Sequence, residues 1–467
     1  MAKIKSKFVC QSCGYETPKW MGKCSNCNEW NSFEEVIIDE QKNKKSDIKL
    51  NANRKLIKKL TEVTSSNSNR IVTSINEFNR VMGGGIVQDS ITIISAKPGA
   101  GKSTLLLQIA NDIAHNGFKV LYASGEESDS QLKSRAERIL KDIDENIWIL
   151  SDTSMDNVLE YIDEINPDLI IVDSIQVFTL EECMPSRAGS PTQTMECANK
   201  LLSIAKDVER PRAIILVGQM NKNEEIAGLR ALEHLVDTVL IIDGENEEEL
   251  RSLQSTKNRF GGTGEIGFFE MSETGMISID NPSEYFITMR EEDKIVSGSA
   301  LSVVREGSRP IIVEIESLVS NSFAPFPSRI GENLAKDQLN TLISILEQRG
   351  NINLFNKNVV IKITGGLKIK EQAINLSVIM SIVSSVYNKG ISNDIVFIAD
   401  VGLTGELKKV PSLETRIKEL DRMGYKKVYI AKNSFNRPVK FNNIKVIECN
   451  NLSDVMLSVF GKSKSTN

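Results

Sequence analysis

No stretch of this 467-residue chain is long and apolar enough to span a bilayer. The run LSVIMSIVSSVY is short for that role and carries four serines. The first residues, MAKIKSKFVCQSC, hold no apolar segment of the signal-peptide kind, so a cytosolic protein with no membrane partner is expected. Cysteine is sparse as well. Seven cysteines do not make a disulfide framework in a cytosolic protein of this size. A large positive charge is also missing. The formal net charge of −5 argues against a chain that is basic throughout and simply coats nucleic acid. No internal repeat is visible.

The length exceeds what one core carries, so two or three domains are expected. The fractions of hydrophobic (40%) and charged (25%) residues are those of an ordinary globular protein. Residues 1–35 form a Cys-rich module. Residues 36–68 are polar and Lys/Asn/Ser-rich and read as a linker or basic arm. Eight Lys/Arg stand against one Asp between Gln41 and Leu60. From 69 to 280, short apolar strands alternate with helical stretches. ITIIS, KVLYA, DLIIVD, AIILVG and TVLII read as buried parallel strands of an α/β ATPase-like domain. The helix STLLLQIANDIAH should stop at Asn116-Gly117. Residues 281–299 read as a connector, and 300–467 as a separate α/β domain. In that last domain, helices are expected near 332–348, 370–388 and 412–424.

Two motifs carry chemistry. Cys10, Cys13, Cys24 and Cys27 form two Cys-x-x-Cys pairs separated by ten residues. Four soft thiolates suit one tetrahedral Zn²⁺ and leave no open position, so the site is structural. A module this small cannot bury a core, and the metal would hold it together. AKPGAGKST runs directly from a strand into a helix, the context a P-loop requires. It comprises Ala96, Lys97, Pro98, Gly99, Ala100, Gly101, Lys102, Ser103 and Thr104. Its backbone would wrap the phosphates of ATP, with Lys102 reaching the β- and γ-phosphates and Ser103 taking Mg²⁺. The motif's first Gly is replaced by Ala96, so the turn there must use ordinary dihedrals. Asp173, ending DLIIVD, suits the Mg²⁺ shell, or it caps the next turn. Glu126 and Glu127 follow a neighbouring strand. There a carboxylate can polarise the attacking water, or both are solvated acids favoured by a helix dipole. Gln219 follows AIILVG and could sense the γ-phosphate or simply end the strand.

Taken together, these residues resemble the bacterial RadA (Sms) family of DNA recombination and repair proteins. The likeness spans nearly the whole chain: the cysteine pairs, RVMGGGIVQDS, the P-loop, SGEES, IVDSIQ, IAGLRALEHLVDTV, KNRFG and VGLTGELKKV. The resemblance implies an α/β protein with an N-terminal zinc finger and a RecA-like P-loop ATPase core. It also implies a C-terminal domain similar to the Lon protease fold, of the ribosomal S5 domain 2 type. It further implies a DNA-dependent, helicase-type ATPase acting on single-stranded and branched DNA. Such a protein forms a hexameric ring and promotes branch migration beside the RecA recombinase. It places P-loop roles on Gly101 to Thr104, the Walker B role on Asp173 and the catalytic carboxylate on Glu126. Gln219 stands where the family more often has His.

In such rings ATP lies between subunits, and a neighbour supplies positive charge to the γ-phosphate. STKNRFG puts Lys257 and Arg259 on one side of an extended segment. They are expected to reach the next subunit's ATP; contact with DNA phosphates, or a plain basic surface turn, are the alternatives. In the last domain the resemblance puts Ala373 at the protease nucleophile position and Glu414 at the base position, so proteolysis is not expected. Ser377 lies one helical turn away without a matched lysine. Lys368, Lys370, Lys408 and Lys409 offer charge for DNA, or a solvated face. A KaiC-like ring switch without translocation and an ATP-dependent peptidase or chaperone are the competing functions.

Overall fold

The computed structural model describes residues 5–10, 13–38, 70–219, 230–244, 249–290, 295–324, 326–366 and 371–461, with Lys59, Thr61 and Ile369. Most of the basic arm at 36–68 lies outside the described residues, as do Lys368, Lys370 and the IAG of IAGLRALEHL. The chain divides into two compact units, Met1–Asp280 and Asn281–Asn467.

The N-terminal module is a three-stranded antiparallel sheet ordered Glu16–Thr17, Lys5–Cys10, Phe33–Ile38. Its core is small: Cys10, Cys24 and Phe33, with Phe8, Cys13 and Met21 against them.

The ATPase core is a nine-stranded sheet. Its order is Gly275–Ser278, Ile266–Ser272, Leu250–Asn258, Thr238–Asp243, Ile91–Ala96, Ala213–Gln219, Leu169–Asp173, Val120–Ser124, Ile147–Ser151. The last six in that order run parallel. Helices cover both faces, so strands such as Ile91–Ala96 are buried at every position and read as predominantly apolar runs without alternation. Helix Lys102–His115 presents Leu105, Leu106, Ile109, Ala110 and Ile113 inward, the 3.6-residue stripe of a helix on a sheet. It stops where expected: Gly117 takes φ 84° and its N–H donates to the carbonyl of Ala114. Two features exceed the sequence expectation. Ile147–Ser151 adds a parallel edge strand, and Leu250–Ser278 folds back as three antiparallel strands.

The second unit is a seven-stranded sheet ordered Arg329–Gly331, Lys357–Ile363, Arg309–Asn321, Ser299–Glu306, Ile395–Ile398, Lys427–Ala431, Lys445–Cys449. The LSVIMSIVSSVY run is its central helix, Asn375–Tyr387, buried at every position through Ser384. Its serines are compatible with the core because three donate to carbonyls and the fourth, Ser385, accepts from the Val319 N–H. Ser377 Oγ bonds Phe397 O at 3.1 Å, Ser381 Oγ bonds Val378 O at 2.9 Å, and Ser384 Oγ bonds Lys389 O at 2.6 Å.

The segment read as a connector is part of this unit at its start. Pro282–Tyr285 is a short helix and Phe286 is fully buried. The anchor is electrostatic. Glu314, fully buried, accepts from Ser299 Oγ, the Thr288 N–H and the Arg290 guanidinium. Burial alone would push this carboxyl up, but those hydrogen bonds hold it below its ordinary value. Its stabilising contribution is therefore complete above the ordinary carboxylate range and is lost as pH falls through the depressed value. We expect Arg290→Ala to destabilise this unit by about 3 kcal/mol or more, since it leaves a buried charge unpaired. Urea unfolding of the two proteins across the acid range should also show a weaker acid dependence in the variant.

Candidate active site and metal centre

Parallel register brings the functional groups to one edge. Gln219 pairs with Ala96, and Ser124 with Asp173, so four adjacent strands end together. This is the carboxyl edge of an open α/β sheet, where ligands bind. Ala96 is the last residue of its strand, fully buried and extended. The missing Gly therefore needs no left-handed backbone. That requirement falls instead on Gly99 (φ 82°) and Gly101 (φ 100°). At Gly101 a Cβ would lie 2.4 Å from Met271 Cε and 2.9 Å from Met276 Sδ. Lys97, Pro98 and Gly99 are exposed, while Ala100 is buried beneath them. Helix Lys102–His115 starts directly after Gly101, and the amides of its first turn lack partners within the helix, the usual phosphate cradle. Lys102, Ser103 and Thr104 are half-buried in that turn.

Within the site Lys102 Nζ donates to Ala96 O at 3.1 Å. Burial lowers its pKa, opposed by Asp173 and Glu126. Ser103 Oγ donates to Asp173 Oδ2 at 3.0 Å, and the Tyr122 hydroxyl donates to the same oxygen at 2.8 Å. Burial raises the Asp173 pKa against those bonds. The Tyr122 hydroxyl is itself held well above its ordinary range, first by burial and then by the Asp173 charge. Glu126 accepts from Ser174 Oγ and, at 2.7 Å, from Gln219 Nε2. Glu127 turns elsewhere and pairs with Arg135. The two adjacent glutamates are thus separated: one faces the P-loop lysine and Asp173, and the other braces a helix. Tyr122 and Ser174 are the members that sequence reasoning missed. Ser174 lies within IVDSIQ and Tyr122 two residues before SGEES, and that proximity was the available signal.

Lys257 and Arg259 lie at the other edge of the same sheet. Arg259 Nη1 is 3.1 Å from Asp237 Oδ1, and Asp237 accepts from the N–H of Ile91, the first residue of the P-loop strand. That strand is six residues long, so the two edges stand roughly 16 Å apart. Lys257 Nζ donates to the carbonyls of Glu233 (2.5 Å) and Val236 (2.8 Å), where it caps helix Arg230–Leu235. Burial, and Arg259 beside it, lower the Lys257 pKa. The turn packs on RVMGGG. Arg70 Nη2 donates to Phe260 O at 2.8 Å, and a Cβ on Gly83 would meet Gly261 Cα at 2.9 Å. Gly83 must be Gly for a second reason: it ends helix Asn76–Met82 at φ 77°. The Arg259 guanidinium remains more than half exposed.

The four N-terminal cysteines converge, their sulfurs all within 4.8 Å of one another. Cys10 and Cys27, and Cys13 and Cys24, stand 3.6 Å apart. Sulfurs about 2.3 Å from a central zinc would be separated by about 3.8 Å, so the set fits the ion. Both knuckles fold alike. Gly14 N–H bonds Cys10 O at 2.8 Å and Asn28 N–H bonds Cys24 O at 2.9 Å, each on a left-handed residue.

In the second unit Ala373 is buried and Glu414 pairs with Lys418 at 2.8 Å. Ser377 is spent on its carbonyl bond. Lys408 is exposed and Lys409 is exposed beside it.

A zinc ribbon ahead of a RecA-like P-loop ATPase core is the class that this fold and these sites define. The rubredoxin metal binding domain model matches residues 8–35 and an AAA domain model matches 58–225. The DNA repair protein RadA of Bacillus subtilis is 40% identical over 465 residues, 99% of this chain and 100% of that protein. The RadA of Listeria monocytogenes is 41% identical over 436 residues, 93% of this chain and 94% of its own. The chain belongs to the RadA family of DNA repair proteins. Among solved structures, a KaiC-like protein from Pyrococcus horikoshii aligns with 45% of this chain and 99% of its own, at 20% identity and TM-score 0.37.

We expect purified protein to hold about one zinc per chain. Cys24→Ala should release it and unfold the ribbon alone. Metal analysis with limited proteolysis checks both, and full zinc retention in the variant would refute the assignment.

Proposed function

We propose that this chain is a DNA-dependent, helicase-type ATPase. It would work as a hexameric ring in the cytoplasm and promote branch migration of recombination intermediates on single-stranded and branched DNA beside RecA. The names of the relatives, DNA repair proteins, support the DNA role. The observation that carries the motor reading is the position of Arg259, exposed at the sheet edge opposite its own P-loop. Standing away from the ATP of its own chain, it would instead reach the ATP of a neighbouring copy. The domain division 1–35, 36–68, 69–280 and 300–467 belongs to this reading, with 281–299 grouped with the last domain and that domain a Lon-like scaffold rather than a protease.

ATP phosphates would lie on Gly99 to Thr104, with Lys102 against the β- and γ-phosphates. Ser103 and Asp173 offer adjacent oxygens that fit Mg²⁺, which would supply charge neutralisation on the phosphates when bound. Glu126 would accept a proton from the attacking water and orient it, with Ser174 and Gln219 fixing its carboxylate. Gln219, placed between Glu126 and the P-loop strand, is suited to registering the γ-phosphate. Arg259 of the neighbour would stabilise the charge that develops on the transferred phosphoryl. Lys257, bound to its own helix, would hold that turn in position.

Two measurements test this. Single-stranded DNA should stimulate hydrolysis, and Lys102→Ala should abolish it with or without DNA. An ATPase rate indifferent to DNA would instead favour a ring switch.

Mixing subunits tests the neighbour. Arg259→Ala should bind ATP yet hydrolyse it about 10³-fold more slowly. Combined with Lys102→Ala protein, it should regain hydrolysis at interfaces that join an intact P-loop to an intact arginine. Normal DNA-free hydrolysis by Arg259→Ala alone would move this residue to a DNA contact.

A further inference from the structure

The zinc ribbon exposes aromatic surface that its own small core does not use. Trp20 is 55% exposed and Trp30 is 69% exposed, with Tyr15 at 41% nearby in sequence. None of the three belongs to the Cys10, Cys24, Phe33 core. A domain this small has little apolar area to spare, and large aromatic rings left in water mark a contact surface. The two tryptophans are neighbours. Both rings come within 4 Å of where a Cβ on Gly22 would sit, at 3.8 Å from Trp20 and 3.9 Å from Trp30. The absence of a side chain at Gly22 keeps the space beside both rings open. Lys23 pairs with Trp30 across a β-bridge, and its ammonium lies 5.7 Å from that ring's centre. Lys19 and Lys23, both exposed, flank Trp20 in sequence; Glu29 is an exposed acid on the second knuckle.

We infer that Trp20 and Trp30 form a stacking platform for unpaired nucleobases, with Lys19 and Lys23 supplying charge for the adjoining phosphates. The chemistry selects this occupant. Flat π-faces beside cations are how proteins hold single strands without reading sequence, because every base offers a π-face and every nucleotide a phosphate. A duplex keeps its bases stacked on each other and offers the rings nothing comparable. The inference rests on the DNA role proposed above and locates one contact for it, on an element separate from the ATPase site.

The chain carries its own reporter. It has three tryptophans, and the third is Trp148. Trp148→Phe leaves the ribbon pair as the only tryptophans, so selective tryptophan excitation reports on them alone. We expect oligo(dT) at low salt to quench that emission, and an equal length of duplex to leave it nearly unchanged. Trp20→Ala and Trp30→Ala should each weaken oligo(dT) binding about tenfold, measured by anisotropy of labelled oligonucleotide. Trp30→Phe, which keeps a ring, should recover most of the loss. Zinc content checks that the ribbon is still folded in each variant. Binding of oligo(dT) without quenching, and equally tight in both alanine variants, overturns the platform while leaving the DNA role standing. Quenching by duplex as strong as by oligo(dT) also overturns it. No binding of oligo(dT) by the parent protein at low salt removes the DNA role and the platform with it.

Discussion

The register of four parallel strands is the constraint on which the site depends. Ala96, Gln219, Asp173 and Ser124 end at one edge because Ile91–Ala96, Ala213–Gln219, Leu169–Asp173 and Val120–Ser124 pair in step. Side chains alternate faces along a strand, so slipping one strand by a residue would turn Asp173 away from Ser103. The strands hold their register because both faces are packed: their residues are buried almost without exception. A largely apolar core thus aims a set of polar groups at one crevice.

The polar groups at that crevice are arranged around buried charge. Asp173 is largely removed from water, which disfavours its ionised form, and two hydroxyls compensate by donating to it. Lys102 is under the same pressure, which for a cation lowers its pKa, and the carboxylates of Asp173 and Glu126 oppose it. Preorganised donors and charges of this kind need little rearrangement when phosphates arrive. The other sheet edge follows the same logic on a smaller scale. Asp237, itself buried, holds the start of the P-loop strand while Lys206 and Arg259 neutralise it. One carboxylate therefore links the strand that ends in the phosphate loop to the arginine proposed to serve another copy.

The second unit shows how much local composition leaves undecided. The run LSVIMSIVSSVY, too short and too rich in serine for a membrane span, is a core helix in which Ser377, Ser381 and Ser384 bond to carbonyls and lose their need for water. A segment with Pro, Gly and Ser that reads as a linker begins by packing Phe286 and an Arg–Glu pair into the same unit. Ser377 finds its carbonyl on Phe397 and Arg290 its carboxylate on Glu314, partners 20 and 24 residues away that no local window contains.

Sequence by itself determined the elements whose signal is local. The cysteine pairs, the phosphate loop between strand and helix, the Asn116-Gly117 stop and the five apolar strands were all legible, because each rests on spacing or on backbone chemistry within a few residues. It also identified Asp173, Glu126 and Gln219 as strand-end polar groups, though not which of their alternative roles applied. Tertiary structure alone decided the rest. It set Glu126 beside Gln219 and Ser174 while pairing Glu127 with Arg135, added Tyr122, and put Ala96 in extended backbone. It also set Lys257 and Arg259 against Asp237 and the Gly83 turn, far from the phosphate loop of their own chain. The physical reason is strand order. Strands distant in sequence become neighbours through crossovers, and the edge at which a residue emerges depends on the direction of its strand. Leu250–Asn258 runs antiparallel to Thr238–Asp243, and that reversal carries KNRFG to the opposite side of the sheet.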